Sequence, residues 1–369
     1  MIVGTHRPSK LIIDRSAIRE NIKREQVRLG NDVAIFAVLK ANAYGMGTLE
    51  IAKVAKESGV TGFCVAILDE ALALRASGFK EPILVMSVTS IEDVALASDL
   101  DISLTMPSVS WLEDVSKLKL AKPLNVHVKL DTGMGRIGLI EEDDIKKTLT
   151  LFSKNQQLIL EGLFMHFAKA DSEDLAHFNL QKERFIRMKR FFPDNIKYIH
   201  TSNSAATIFR DAWGSNMVRF GFSLYGMNPT GRDLDMPYPV ADALSIETAL
   251  THVKQLKKGE SVSYGATYYT KSDEWIGTLP LGYGDGFSRG FQGFEVLIDG
   301  EKAPIIGRMC MDQCMIRLSK EYPVGTKVTI VGKNGDNINT LQDMADHLGT
   351  ICAEILCRFT DRMPREYIN

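Results

Sequence analysis

Polar residues able to do acid–base or covalent chemistry follow several short apolar runs of the chain. Lys40 closes the run 34–39, His166 lies near the end of a later run, and Arg219 precedes Gly221 by two positions. If these runs are parallel strands of a closed barrel, their carboxyl ends meet at one rim, where barrel enzymes hold their reacting groups. The spacing therefore predicts one site built from residues that are far apart in sequence.

Lys40 is the strongest candidate for covalent chemistry. The residues before it, 34–39, are all apolar, so its ammonium would be partly desolvated, and desolvation lowers the pKa of a lysine. A neutral lysine can attack an aldehyde and form an imine. The alternative is a structural lysine whose stem packs at the strand end while its ammonium reaches solvent.

A group of small polar residues points to a bound anion. Ser202, Ser204 and Gly221 follow the last two predicted strands, where many barrels bind phosphate through hydroxyls and backbone N–H groups. By itself, such a loop is typical of ordinary turns. Together with a desolvated Lys40 and the nearby Tyr44, it predicts a phosphorylated aldehyde as the ligand.

Strand and helix patterns alternate from residue 33 to about residue 224. Helix-like stretches such as 49–58, 69–77 and 172–192 separate the apolar runs and end near Gly or Pro. This alternation predicts a (β/α)8 barrel of the TIM type rather than an open sheet. The predicted strands are residues 33–40, 62–67, 82–87, 102–106, 124–130, 159–167, 198–201 and 217–221.

The pattern changes after about residue 240. Short alternating segments are separated by glycine-containing turns such as 258–259 and 282–286, which favours a small, mainly β domain with one helical interruption at 340–348. We therefore predict two domains: a ligand-binding barrel over residues 1–240 and a mainly β domain over residues 241–369.

Composition and charge exclude several classes of protein. Lys and Arg total 44 against 46 Asp and Glu, a formal charge of −2, so neither a nucleic acid nor a membrane surface is a predicted partner. The five cysteines form no CxxC pair and no histidine lies in a metal-binding spacing, so we predict free thiols and no metal site. Without a signal-peptide pattern or a long apolar segment, we expect a soluble, cytoplasmic protein.

The residues around Lys40 resemble the cofactor-lysine signature of the alanine racemase family, in which an eight-stranded barrel is joined to a β domain. Further motifs of that family follow in the same order over nearly the whole chain, and agreement of many ordered motifs is far less expected by chance than agreement of one. The matching segments are AVLKANAYG (37–45), VHVKLDTGMGR (126–136), RFG (219–221), LYG (224–226), VSYG (262–265), LGYGDG (281–286) and GRMCMDQ (307–313).

The resemblance implies pyridoxal 5'-phosphate (PLP) as the cofactor, with Lys40 forming its Schiff base and Arg219 facing its pyridine nitrogen. A guanidinium has no acceptor and keeps its proton, so the ring nitrogen would stay unprotonated and the cofactor would be a weaker electron sink. The alternative role for Arg219 is an ion pair at the barrel rim. The residues implied to hold the phosphate are Tyr44, Ser204, Gly221 and Phe222.

The reaction implied by the resemblance is racemisation of alanine, which supplies D-alanine for peptidoglycan. Racemisation removes a proton from one face of the α-carbon and returns it on the other, so it needs two bases. The resemblance assigns the proton of the D isomer to Lys40 and that of the L isomer to Tyr264, with His166 near the cofactor ring. It also implies that Arg136 and the backbone around Met311 contact the substrate carboxylate and the cofactor hydroxyl.

Two further positions bear on the chemistry of the site. By resemblance, Lys129 corresponds to a lysine that can be carbamylated and then hold Arg136; the alternative is an unmodified lysine in an ordinary ion pair. Ala353 stands where the family usually has a tyrosine that narrows the entrance. Loss of that tyrosine predicts a wider pocket that admits serine, because apolar pockets reject an added hydroxyl poorly.

The implied partner is a second copy of this chain. By resemblance, the family forms a head-to-tail homodimer with composite active sites, and two such sites imply an isologous interface. The residues implied to complete the barrel mouth of the partner are Tyr264, Tyr283 and Met311, and Asp312 lies in the same motif as Met311.

Three alternatives to an alanine racemase stay open. The first is a serine or broad-specificity amino-acid racemase. The second is a PLP-dependent decarboxylase, which would need a glycine-rich phosphate loop late in the barrel and a catalytic cysteine in the second domain, and neither is evident. The third, a non-catalytic cofactor-binding protein, would resemble the barrel alone, whereas this chain adds a second domain that carries Tyr264.

Overall fold

The computed structural model describes residues 2–369, which form two compact units. One unit comprises residues 18–43 and 48–241, and the other comprises the chain up to Ala17, residues 44–47 and residues 242–369. The predicted domain boundary is a single division at residue 240. In the structure, the first strand, β1 (Lys10–Asp14), instead belongs to the same unit as the C-terminal part of the chain. Helix α1 (Arg15–Leu29) follows β1 directly.

Within the described residues, the first unit contains one sheet of eight parallel strands in the order β8-β7-β6-β5-β4-β3-β2-β9. Two backbone hydrogen bonds of 3.0 Å close the sheet into a barrel: Asn216 N, just before β9, donates to Ile199 O in β8, and Arg219 N in β9 donates to Ser202 O, just after β8. The strands are β2 (Ala34–Val38), β3 (Gly62–Val65), β4 (Ile83–Val85), β5 (Ser103–Met106), β6 (Leu124–Lys129), β7 (Leu158–Phe164), β8 (Tyr198–His200) and β9 (Met217–Phe220).

One helix lies between each pair of consecutive barrel strands in the described chain, as the (β/α)8 pattern requires. Helix α2, for example, buries Ile51, Ala52, Val54 and Ala55, which recur at helical spacing on one face. The helices are α2 (Thr48–Glu57), α3 (Leu68–Ala76), α4 (Val94–Asp99), α5 (Val109–Ser116), α6 (Glu142–Lys154), α7 (Ala176–Lys189) and α8 (Ser204–Phe209).

Burial on both faces explains why the barrel strands can be found in the sequence. Every residue of β3, β4, β5 and β9 is buried, and a parallel strand covered on both faces is a nearly continuous apolar run. Each predicted strand segment overlaps an observed strand. The predicted (β/α)8 barrel with a mainly β second unit is confirmed.

The second unit is built on a sheet in the order β11-β14-β17-β16-β15-β18-β10-β1-β20, with β19 paired to β18. A separate hairpin joins β12 to β13. The strands are β10 (Leu244–Ala249), β11 (His252–Leu256), β12 (Ser261–Val262), β13 (Tyr268–Tyr269), β14 (Glu274–Leu279), β15 (Glu295–Ile298), β16 (Glu301–Ile306), β17 (Cys314–Leu318), β18 (Lys327–Asn334), β19 (Asn337–Asn339) and β20 (Arg365–Ile368), and the helices are α9 (Leu341–Leu348) and α10 (Cys352–Arg358).

Strand β1 lies inside this second sheet. It pairs antiparallel with β10 and parallel with β20. Leu11 and Ile13 are buried while their neighbours are half-buried, which is the alternation expected of a strand with one apolar face. The position of β1 between two C-terminal strands is the reason that the N-terminus groups with the second unit.

Two general properties of the described residues complete the fold. Among residues 2–369, no helix is both long enough and apolar enough to cross a membrane. The five cysteines are free thiols, of which Cys64, Cys314 and Cys352 are buried.

Candidate active site

Lys40 stands at the start of a left-handed turn directly after β2. Ala41, Asn42, Ala43 and Tyr44 have φ angles of 53°, 55°, 52° and 54°. For residues other than glycine this conformation costs roughly 1 kcal/mol each, and such strain concentrates at functional sites. The turn is held by hydrogen bonds to its polar groups, including one of 2.9 Å from Thr48 N to Asn42 Oδ1 and one of 2.6 Å from Ala41 N to Glu70 Oε1.

His166 follows β7 and lies among four of the predicted cationic residues. Burial, and then the positive charges of Arg219, Arg136, Lys129 and Lys40, hold the pKa of His166 well below its ordinary value. The imidazole is therefore neutral at physiological pH. The structure brings these five predicted site residues to one place in the first unit.

Arg219, on β9, is buried and held by several acceptors. Nη1 donates to Nδ1 and to the carbonyl oxygen of His200, both at 2.7 Å, and Nη2 donates to the carbonyls of Met165 and Thr201 at 3.0 and 3.2 Å. Nη2 also lies 3.3 Å from Nδ1 of His166. Burial lowers the pKa of Arg219 to about 10, so it stays charged. Within residues 2–369 its Nε makes no hydrogen bond, so this N–H is left to donate to a ligand.

Ser204 and Gly221 meet where β8 and β9 end. The Ser204 hydroxyl accepts the Gly221 N–H at 3.0 Å, and both residues are buried. Ser204 begins α8, which Asn203 caps by accepting the N–H of Ala206 at 3.0 Å. Phe222 follows Gly221 at the start of a short 3-10 turn. The predicted phosphate-binding group of this unit is thus local in space as well as in sequence.

Lys129 ends β6 and is only 2% exposed. Its Nζ donates to the carbonyl of Leu130 at 2.8 Å and lies 5.5 Å from the ring centre of Phe164. Burial lowers the pKa of Lys129 to about 7, with the charges of Arg219 and Arg136 acting in the same direction. A substantial share of this lysine is therefore neutral near pH 7.

The loop after β6 is organised by the carboxylate of Asp131. Its Oδ1 accepts the N–H groups of Gly133, Met134 and Gly135 at 3.0, 2.9 and 3.0 Å, and its Oδ2 accepts that of Arg136 at 3.0 Å. Burial raises the pKa of Asp131, but these hydrogen bonds and Lys129 outweigh it, so the pKa is lowered. The loop fixes the backbone of Arg136, whose side chain is exposed.

In the second unit, Tyr264 is carried by the turn between β12 and β13 and is 68% exposed. The residue before it, Ser263, has φ 67° and ψ −178°, a conformation that is essentially restricted to glycine. The Ser263 hydroxyl donates to the carbonyl of Arg308, which anchors the turn. The backbone under Tyr264 is strained and fixed rather than free.

Tyr283 and Met311 lie on two loops of the second unit that pack together. Tyr283 N donates to the carbonyl of Cys310 at 3.2 Å, and Gly284 N donates to that of Met311 at 2.9 Å. A Cβ on Gly282 would lie 2.2 Å from the Met311 oxygen, so this close approach requires glycine. Tyr283 and Met311 are 42% and 52% exposed.

A buried carboxylate braces the same loops. Asp285 pairs with Arg7 and, at 3.3 Å, with Arg362, and Arg362 pairs at 2.8 Å with the predicted residue Asp312. Ala353 is half-buried on α10. Tyr44 also belongs to this unit, and burial raises the pKa of its phenol.

The sequence prediction gave no role to several residues that contact the site. His200 and Asn203 lie against Arg219 and His166, and His127 and Glu161 lie behind His200. The available signal was a polar residue inside an otherwise buried strand, such as His127 between Val126 and Val128. Among residues 2–369, no cluster of three or more His, Cys, Asp or Glu is placed to hold a metal ion.

Comparison with known proteins identifies the family of the chain. The chain matches the alanine racemase N-terminal domain over residues 13–229 and the alanine racemase C-terminal domain over residues 243–367. It is 50% identical over 367 residues to the alanine racemase of Pediococcus pentosaceus, covering 100% of this chain and 98% of that protein.

Two solved structures share the fold of the whole chain. The crystal structure of alanine racemase from E. faecalis has a TM-score of 0.98 at 46% identity, and histidine racemase from Leuconostoc mesenteroides subsp. sake has a TM-score of 0.93 at 31% identity. Each match covers 100% of both chains. The chain belongs to the alanine racemase family, a family of isomerases.

Proposed function

We propose that this chain interconverts L-alanine and D-alanine with PLP as its cofactor. The observation that carries the proposal is the setting of Arg219, whose two Nη atoms are fully engaged by the protein while its Nε makes no hydrogen bond within residues 2–369. A rigid guanidinium with one remaining donor suits an unprotonated ring nitrogen, which can only accept.

The residues of the first unit fit PLP in two further respects. Lys40 leaves the end of β2 in a strained turn and is half-buried, which suits a covalent attachment point. The Ser204 hydroxyl accepts the Gly221 N–H and keeps its own proton, which it can donate to a phosphate. When bound, PLP supplies an electron sink that makes the α-proton of an amino acid easier to remove.

Two bases of this chain would move that proton. Lys40 Nζ takes or returns it on the face used by the D isomer, and Tyr264 Oη does so on the face used by the L isomer. The neutral His166 beside Arg219 adds no positive charge near the cofactor ring. Arg136, with its backbone fixed by Asp131, orients the substrate carboxylate.

We infer that the working form is a homodimer with composite sites in the cytoplasm. Tyr264, Tyr283 and Met311 expose large apolar surface in the single chain, and exposed apolar side chains mark surfaces used by partners. Five free thiols suit a reducing compartment. The D-alanine formed there would supply peptidoglycan synthesis.

A racemase of another amino acid is the second candidate. The resemblance to a histidine racemase at 31% identity shows that this fold also serves a racemase named for a larger substrate. Ala353, in place of the usual tyrosine, favours a wider pocket in this chain. Serine and broad-specificity racemisation are therefore tested beside alanine.

The test is a chirality assay on the PLP-loaded protein with each enantiomer of alanine and, in parallel, of serine. We expect interconversion in both directions to an equal mixture, since enantiomers have equal free energy. Lys40→Ala should abolish turnover and the borohydride-trapped cofactor adduct, whereas Lys53→Ala, a change at an exposed lysine of α2, should preserve both. Gas release with an amine product would replace the proposal by a decarboxylase, and no reaction with any L-amino acid would refute it.

A further inference from the structure

Four buried polar side chains form a continuous chain of hydrogen bonds through the interior of the barrel. Arg219 Nη1 lies 2.7 Å from His200 Nδ1, His200 Nε2 lies 2.8 Å from His127 Nδ1, and His127 Nε2 lies 3.2 Å from Glu161 Oε2. Arg219, His200, His127 and Glu161 are 3%, 0%, 1% and 8% exposed. The chain therefore connects the guanidinium of the candidate site to a carboxylate through two imidazoles.

The direction of every hydrogen bond in this chain follows from the donor rules alone. A guanidinium can only donate, so His200 Nδ1 accepts and the proton of a neutral His200 must lie on Nε2. That proton is donated to His127 Nδ1, so the proton of His127 must lie on its Nε2 and is donated to the carboxylate of Glu161. Burial lowers the pKa of both histidines, which keeps each ring neutral with one proton.

The backbone of strands β6 and β7 is adapted to these hydrogen-bonded side chains. The register of β6 and β7 shifts between Val126 and His127, so that Leu160 and Gly162 are paired while Glu161 is passed over. Such a bulge redirects a side chain. A Cβ on Gly162 would lie 2.2 Å from His127 Nδ1, so the imidazole occupies space that only glycine leaves open.

Glu161, at the opposite end of the hydrogen-bond series from Arg219, is also held by neighbouring side chains. Ser103 donates to Glu161 Oε2 at 2.7 Å, and Lys197, whose side chain is 59% exposed, donates to Oε1 at 3.0 Å. Burial raises the pKa of Glu161, but the hydrogen bonds from His127, Ser103 and Lys197 prevail and lower it. Glu161 is therefore ionised at neutral pH.

Arg219 needs such an arrangement because a buried charge without a counter-charge is strongly destabilising. No carboxylate among residues 2–369 forms a direct ion pair with it, and its direct acceptors are carbonyls and imidazoles. The nearest negative charge that the hydrogen bonds lead to is Glu161. Ring stacking of Phe164 on His200, with centres 4.6 Å apart and planes at 7°, holds the intermediate imidazole in place.

We propose that Glu161 is the counter-ion of Arg219, relayed by His127 and His200 in their Nε2–H tautomers, and that this relay positions Arg219 against the cofactor ring nitrogen. The first part concerns the protein alone, and the second part rests on the proposed function. Glu161, His127 and His200 act through Arg219 and are positioning residues.

The first test is the tautomeric state of the two histidines, which a merely structural packing role would not fix. Long-range 15N–1H correlation spectra of the 15N-histidine-labelled protein should show a protonated Nε2 and an unprotonated Nδ1 in both His127 and His200, with and without PLP. Assignment uses His127→Gln and His200→Gln. An Nδ1–H tautomer or a doubly protonated ring at either position would overturn the relay, and this measurement requires no substitution at Glu161.

The second test removes the charge at the far end. In Glu161→Gln the His127 Nε2–H resonance should move upfield, and kcat for racemisation should fall about tenfold, as for other supporting residues behind a reacting group, with little change in KM. Glu161→Asp, which keeps the charge, should restore part of kcat, and Glu142→Gln on the exposed start of α6 should change neither quantity. Unchanged spectra and unchanged kcat in Glu161→Gln would refute the proposal.

The two levels of inference can fail separately. If the protein racemises no amino acid but shows both Nε2–H tautomers, the relay is supported and the proposed function is wrong. If it racemises alanine but shows another tautomer, the proposed function is supported and the relay is wrong.

Discussion

Lys129 is a residue whose burial opposes its charge. Its folded-state pKa of about 7 lies below the ordinary value of 10.5, so between these two pH values the unfolded chain binds more protons than the folded chain. The free energy of unfolding of the unmodified protein must then rise with pH across this window. Below about pH 7 the buried ammonium lowers the free energy of unfolding by several kcal/mol, because each unit of pKa shift corresponds to about 1.4 kcal/mol.

Replacing Lys129 by an apolar side chain of similar length should remove this dependence. In buffers freed of carbon dioxide, Lys129→Met should raise Tm at about pH 7 and flatten the profile of Tm against pH up to the ordinary lysine pKa. Differential scanning calorimetry measures both quantities. Lys146→Met, at an exposed position of α6, is the control and should leave the profile unchanged; a Lys129→Met profile that parallels the wild type would contradict the argument.

The same neutral amine predicts a modification of Lys129. Carbon dioxide adds to unprotonated amines, and the resulting carbamate would place a negative charge near Arg136, whose positive charge already influences Lys129. Protein equilibrated with 13C-bicarbonate should show one slowly exchanging carbamate resonance by 13C NMR. The resonance should be absent from Lys129→Met and present in Lys146→Met, and its absence from the wild type would leave Lys129 as an unmodified lysine.

Ala353 should control which substrates the site prefers. A tyrosine there would narrow the entrance, so Ala353→Tyr should lower kcat/KM for L-serine relative to L-alanine by about tenfold, within the roughly hundredfold limit for rejecting an added hydroxyl. Steady-state rates on both amino acids give the ratio. Ala353→Ser, a change of small volume, is the control; if Ala353→Tyr leaves the ratio unchanged, Ala353 is a neutral difference from the family.

At the scale of elements, Gly45, which follows the left-handed turn 41–44, packs closely against the backbone of helix α10. Gly45 has φ 80°, and a Cβ on it would lie 2.4 Å from the backbone oxygen of Leu356 in α10. Gly30 has a similar φ of 74°, but a Cβ there would meet nothing within 4 Å. Comparing alanine substitutions at Gly45 and Gly30 therefore separates the free energy lost to backbone strain from the free energy lost to a steric clash.

Gly30→Ala should lower the free energy of unfolding by about 1 kcal/mol, from backbone strain alone. Gly45→Ala should lower it by several kcal/mol more, because a helix carbonyl cannot move aside without breaking its own hydrogen bonds. Urea unfolding followed by circular dichroism measures the difference. Equal effects of the two substitutions would mean that the turn and α10 separate easily.

These elements also show what the sequence could and could not predict. Strands such as β3 and β4 are detectable because both faces are buried and their residues are uniformly apolar. The left-handed turn at 41–44 is not detectable, because alanine and tyrosine rarely adopt positive φ and only the surrounding contacts impose it. The sequence predicts no helix at α10 (Cys352–Arg358), because seven residues are too few for a clear helical periodicity.

The candidate site divides in the same way. Lys40, Arg136 and Ser204 follow strand ends and Arg219 lies near the end of β9, so the residue pattern and the family resemblance are enough to predict them as site residues. The links between His200, His127 and Glu161 join three different strands at a bulge, and no local pattern encodes such a pairing. The placement of β1 among C-terminal strands is likewise a contact between distant parts of the chain.

At the scale of the whole molecule, the proposed dimer makes a sharp prediction. If each site combines Lys40 of one chain with Tyr264 of the other, a heterodimer of Lys40→Ala and Tyr264→Phe chains has one site with both changes and one intact site. Doubly tagged heterodimers, isolated by two affinity steps, should therefore show about half the wild-type kcat per dimer, while each homodimer is nearly inactive. If both bases came from the same chain, neither site would be intact and the heterodimer would be as inactive as its parents.

The place of β1 also sets an order for synthesis. β1 ends at Asp14, whereas its parallel neighbour β20 begins at Arg365. At ribosomal rates, synthesis of the intervening residues takes on the order of tens of seconds, and β1 cannot pair with β20 before then. Strands β2 to β9 follow one another in sequence with no strand of the second unit between them. The barrel can therefore close while the rest of the chain is still being synthesised. The second unit can be completed only after the last residues leave the ribosomal tunnel. A chain terminated before Arg365 would consequently release a closed barrel together with a sheet in which β1 pairs only with β10 and has one open edge.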